Sequence, residues 1–160
     1  MGCLRILTIP IGVVLGYFVS ALIVLIGLTI TLVSQGPTFC YEGATWTASQ
    51  KFCYISLGVG LLAALVGGFV ATRIGGRGAL VFLVIAMTSL GSATALGLFR
   101  APDAERFKDR PAVRPDDFDW TKAAVWSETP PWCEWANLGV GVVGAVIGGS
   151  LALGRRGKKD

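Results

Sequence analysis

The chain contains no histidine in its 160 residues. That excludes a bis-His haem site, a His-ligated chlorophyll and imidazole-based general acid–base catalysis. No CxxC unit occurs either, and the spacing of Cys40, Cys53 and Cys133 does not fit a metal site. The most informative absence is charge. Four stretches, Ile6–Ser34, Phe52–Thr72, Gly78–Phe99 and Ala136–Gly154, hold no Asp, Glu, Lys or Arg. Proton and ion pathways through a membrane need ionisable or strongly polar groups inside the spans. These stretches offer little beyond Ser, Thr, Tyr17 and Asn137. An intramembrane enzyme, pump or carrier therefore has little to work with, and the expectation is a protein that is not an enzyme.

What is present is apolar length. Each stretch is long enough, or nearly so, to cross a hydrocarbon layer of ~30 Å as a helix of about 20 residues. A mean hydropathy of +0.66 with 22 glycines does not describe a water-soluble domain. The expectation is an all-α integral membrane protein. It has one membrane domain over residues 1–160, with four transmembrane helices at about 5–34, 52–72, 78–99 and 136–154 and outer loops at 35–51 and 100–135. The first apolar stretch is too long for a signal-peptide core, and no clear cleavage site follows it. The start Met1-Gly2-Cys3 departs from the myristoylation pattern, because position 6 is Ile.

Charge placement sets the expected orientation. Arg5, Arg73, Arg77, Arg155, Arg156, Lys158 and Lys159 fall on one side of the membrane, with Asp160 the only side-chain acid there. The other side carries an excess of acids, most of them in the second loop. By the positive-inside rule both termini face the cytoplasm. Arg73, Arg77, Arg155 and Arg156 then set topology and meet lipid headgroups. The overall basic character (pI ≈ 9.1) comes from span-flanking residues and does not indicate a nucleic-acid partner.

Cys40, Cys53 and Cys133 fall on the outer side, where a disulfide can persist, and Cys3 falls inside. A Cys40–Cys53 bridge would close a local loop, whereas Cys53–Cys133 would tie two helix mouths. The local pair is favoured, with Cys133 as the alternative partner and three free thiols as a further possibility. The helices carry small residues at four-residue spacing. Gly144 and Gly148 form a GxxxG pair and Gly141 with Ala145 a second small pair, a pattern that lets membrane helices approach closely. A Gly-rich, tightly packed four-helix bundle is expected. In the turn between the second and third spans, Gly75 and Gly76 are available for positive φ. The second outer loop has five prolines and several tryptophans. Trp132 and Trp135 read as interfacial belt residues, and Trp120 and Trp126 as partner contacts.

The segment Val66-Gly67-Gly68-Phe69-Val70-Ala71-Thr72-Arg73-Ile74-Gly75-Gly76-Arg77 resembles a pattern in small bacterial four-helix inner-membrane proteins of unknown function. There the second helix ends in Gly-Gly-aromatic-x-Ala-x-Arg-Ile-x-x-Arg. Pro131-Trp132 ahead of the fourth helix and the run Gly141–Gly149 are similar too, although the outer loop is longer than in that group. The resemblance implies a multi-pass protein of the bacterial inner membrane and carries no catalytic residue over. The resulting expectation is a non-catalytic accessory or structural subunit of a larger membrane complex, respiratory or photosynthetic. Its partners would be other membrane subunits and lipids. It would need no cofactor, although lipid or pigment could contact its apolar surface. Two alternatives stay open. One is an oligomeric channel or small-solute transporter lined by Ser56, Thr88, Ser89, Ser92, Thr94 and Ser150. The other is an outer-face thiol/disulfide redox protein.

Overall fold

The computed structural model describes residues 2–98, 105, 107–115 and 125–156, with side chains from residue 7 to residue 154 within those ranges. Four helices are seen in this part of the chain. They are α1 (Gly2–Gln35), a single turn α2 (Pro37–Cys40), α3 (Gln50–Ala95) and α4 (Pro131–Arg156). Among the described residues there is no strand, only the isolated bridges Tyr41–Ala48 and Thr47–Glu128. Three of the helices, α1, α3 and α4, are long and apolar enough to cross a membrane. The chain has the make-up of a membrane protein.

The 46 residues of α3 would extend about 69 Å if straight, at ~1.5 Å per residue, more than twice the hydrocarbon thickness. The helix breaks at Gly76, whose φ of 71° and ψ of −159° lie outside helical space. The two expected spans at 52–72 and 78–99 are thus two helical arms joined directly at Gly76, and only one of the two turn glycines supplies positive φ. Gly75 serves a different need. A Cβ there would lie 2.7 Å from Thr8 O and 3.0 Å from Ile9 Cα, so its hydrogen admits α1 against the turn.

Directions follow from which residues meet. Along α1, Gly12, Gly16, Ser20 and Gly27 face Ala71, Gly67, Ala63 and Val59 in turn, so α1 runs antiparallel to the first arm of α3 (50–75). Along α4, Gly144, Ala145 and Gly148 meet Leu61, Gly68 and Leu65, so α4 runs parallel to that arm. The same helix meets the second arm (77–95) in reverse order, Leu138 at Gly91, Gly141 at Met87 and Gly149 at Leu80. The two arms therefore fold back on each other. α3 is the central element, with both α1 and α4 packed on it.

Small side chains make this possible. The core cluster is Ala71, Ala79, Leu83 and Ala145, with Ile9, Val13, Val84 and Met87 packed around it. Without a water-driven hydrophobic force between helices, dispersion contact at short backbone separation carries association. Gly148 makes the tightest approach to backbone among the described glycines, since a Cβ there would sit 1.9 Å from Leu65 O. Ser20 Oγ adds a polar tie between helices, lying 3.0 Å from both Gly16 O and Ala63 O.

Element ends follow local chemistry. Ser49 caps α3, its Oγ accepting from Phe52 N–H at 3.1 Å. α4 starts at Pro131, five residues before the expected span at 136. Proline suits a first helical position, and Glu134 in the first turn complements the helix dipole. α1 spans 34 residues, about 51 Å at ~1.5 Å each, so it tilts or projects beyond a ~30 Å layer.

Candidate functional site

The polar chemistry of the described residues collects at one end of the bundle, where α1 ends and α3 and α4 begin. After α1, the chain makes the turn α2 and then a short loop over 41–48. Tyr41 and Ala48 bridge across this loop, and Thr47 bridges to Glu128 from the segment before α4. Trp46 sits at the centre, 4% exposed. Its ring meets Trp126 edge-on at 5.2 Å between centroids and Tyr41 at 6.1 Å, and its Nε1–H donates to Pro111 O at 3.0 Å. Aromatic pairs in this edge geometry are favoured by their quadrupoles.

Arg114 holds the loop from the other side. Its side chain is buried, with 5% exposure. Nε donates to Thr45 O at 3.2 Å and Nη2 to Gly43 O at 2.8 Å, and the guanidinium lies 5.2 Å from the Tyr41 ring centroid. The Arg114 backbone N–H also donates to Ala44 O. A planar fork of donors suits a row of carbonyls in this way. Arg110 completes the cap. It stacks over Phe107, donates to Trp126 O and pairs with the Glu128 carboxylate. Together these contacts tie the 41–48 loop, residues 110–114 and residues 126–128 into one lid.

Burial raises the Tyr41 hydroxyl above its ordinary pKa, against smaller opposing effects from a Ser127 hydrogen bond and from Arg114. Burial likewise raises the Cys40 thiol, with Arg114 pulling the other way. Both groups are held neutral at physiological pH.

Below the lid lie Cys53 and Cys133, in one buried cluster with Ala48. Asn137 Nδ2 donates to Cys133 Sγ at 3.5 Å and to Ser56 Oγ at 3.2 Å. Cys40, Cys53 and Cys133 are all free thiols, so the expected Cys40–Cys53 bridge is not formed; Cys53 shares its buried cluster with Cys133, while Cys40 lies outside it, next to Tyr41.

The remaining expected site residues are placed as follows. Gly141, Gly144 and Gly148 all face α3, at Met87, Ala64 with Leu61, and Leu65. Trp126 lies half-buried on Trp46 as part of the lid, and Trp120 lies outside the described residues. Trp132 and Trp135 are exposed at the start of α4, with Trp132 tilted on Tyr54 at 5.9 Å. Arg73 and Arg77 are exposed on either side of the Gly76 break. Arg155 and Arg156 end α4, their side chains outside the described set. Two residues central to the lid and thiol site, Arg114 and Asn137, were not assigned a role from sequence. Arg114 stands among many loop charges, and nothing in the sequence separates a buried arginine from a solvated one. Among the described residues no group of His, Cys, Asp and Glu could hold a metal ion.

No protein-family model, no curated protein and no solved structure matches the chain.

Proposed function

We propose that the protein is a four-span membrane protein of the bacterial cytoplasmic membrane, with both termini inside. We further propose that it acts as a non-catalytic accessory subunit of a larger membrane complex. The unequal covering of the long helices carries this reading. Only 17% of the most apolar window of α1 is buried within the chain, against 33% for each of α3 and α4. Leu7, Val14, Phe18, Leu25, Ile30 and Val33 lie exposed along it. A helix longer than the bilayer and attached by one narrow Gly/Ala stripe is suited to sit between this chain and a partner.

The hydroxyls a channel would use support the packing reading instead. Thr88, Thr94 and Ser150 are exposed, and each donates to the carbonyl four residues back in its own helix. The inside-facing termini follow from the basic flanks of the Gly76 turn and the C-terminal tail, and the bacterial membrane from the resemblance at Val66–Arg77.

A photo-crosslinking residue at Phe18, in intact membranes, tests the subunit role. The reading expects a single protein adduct of fixed mass. Adducts only with lipid, or only with a second copy of the chain, would overturn it.

A further inference from the structure

Two buried thiols lie together at the outer mouth of the helices, in a small cluster apart from the main core. Cys53 in the first turn of α3 and Cys133 in the first turn of α4 are each 1% exposed and share one buried cluster, with Ser56 Oγ donating to Cys53 O at 2.7 Å and lying 3.8 Å from Cys133 Sγ. The nearby polar groups converge on Cys133, where Asn137 Nδ2–H points at Sγ and Ser56 Oγ lies 3.8 Å away. The thiolate is the nucleophile of disulfide chemistry. Ala48 packs on the pair, and its N–H donates to Glu128 O, so the lid covers the site.

We propose that Cys53 and Cys133 form a disulfide by exchange with a disulfide-bearing protein oxidant, stapling the first arm of α3 to α4 beneath the lid. The Cys133 thiolate attacks one sulfur of the oxidant's disulfide, giving a mixed disulfide and one oxidant thiolate. The Cys53 thiolate then attacks the Cys133 sulfur, which forms the Cys53–Cys133 bond and releases the oxidant's second thiolate. The two protons given up by Cys53 and Cys133 pass to the two oxidant thiolates. The pair loses two electrons and the oxidant gains them. Because both sulfurs are buried, exchange takes place before the lid closes, and the closed lid then shields the bond from reductant. In cells the proposal rests on the outward placement of this end, since only that compartment keeps a disulfide oxidised.

The test is differential alkylation of the full chain. Membranes are denatured in the presence of one maleimide, so that every free thiol is blocked, then reduced, treated with a second maleimide of different mass, and mapped by peptide mass. The expected result is the second label on Cys53 and Cys133 and the first label on Cys40. In parallel, reduced and denatured protein is refolded into detergent in the presence of oxidised glutathione and mapped in the same way. This arm is independent of orientation, and the same pair is expected to bridge. A Cys40–Cys53 bridge, or no bridge in detergent, overturns the pairing. A bridge in detergent with both thiols reduced in cells overturns the cellular disulfide by way of the orientation, and leaves the pairing geometry standing.

Discussion

Replacing Gly148 by Ala probes the closest approach of a described glycine to another helix's backbone. A Cβ at that position would lie 1.9 Å from Leu65 O, whereas ordinary contact starts at 3.4 Å. α4 must therefore move away from the first arm of α3 by roughly 1.5 Å, or the carbonyl must give, and overpacking of this kind costs about 1–3 kcal/mol. Alanine also gains up to about 1 kcal/mol over glycine within a helix. Gly139 supplies the control, since a Cβ there meets nothing within 4 Å. Gly139→Ala is expected to be neutral or stabilising by up to about 1 kcal/mol. The helix gain is common to both variants and cancels, so they should differ by the overpacking cost of about 1–3 kcal/mol although the chemical change is the same. Unfolding in mixed detergent micelles, followed by far-ultraviolet circular dichroism, measures the difference. Equal midpoints for Gly148→Ala and Gly139→Ala would refute the close approach of α4 to α3.

Three further outcomes are expected. Arg114→Ala removes two side-chain bonds to the Gly43 and Thr45 carbonyls, at a cost of about 3 kcal/mol. Arg114→Lys should fail to restore them, because an ammonium lacks the planar fork, and faster proteolysis of the 41–48 loop would report both changes. The Thr72 hydroxyl is fully buried with no hydrogen-bond partner, so Thr72→Val should raise the unfolding midpoint by about 1 kcal/mol, and a lower midpoint would count against that orphan hydroxyl. The lid should loosen in alkali. Burial raises Tyr41 above 10.0 and Cys40 above 9.0, so the folded state holds these protons more tightly than the unfolded chain. Their contribution is full below those ordinary values and is lost as pH rises through the folded ones. Tryptophan fluorescence of the lid between about pH 8 and pH 12 should change only in the alkaline half, and Tyr41→Phe should remove the tyrosine part of that change.

The membrane character was legible from charge alone, because burying an ionised group in hydrocarbon is costly enough to clear four long stretches. The facing of Gly141, Gly144 and Gly148 was legible too, since four-residue spacing puts them on one helix stripe. Element bounds were less so. Glu134 ended the charge-free run, yet it lies inside α4, where a first-turn acid is favourable. Arg73 and Arg77 suggested a loop, but helix continues through both and breaks at one glycine. The thiol site was hidden for a topological reason. Sequence proximity favours Cys40 as the neighbour of Cys53, while the parallel run of α4 along the first arm of α3 brings Cys133 there instead. The lid was hidden because Trp46, Arg114 and Trp126 come from three separate segments, and no spacing rule joins them.

The subunit role is tested most directly by extraction in mild detergent, native-size separation and intact-mass measurement of the resolved species. The expected result is this chain in fixed stoichiometry with at least one other membrane protein, and loss of that species when Phe18 and Leu25 on the exposed face of α1 are replaced by bulky polar residues. A lone monomer or a homo-oligomer, unchanged by those replacements, would contradict it.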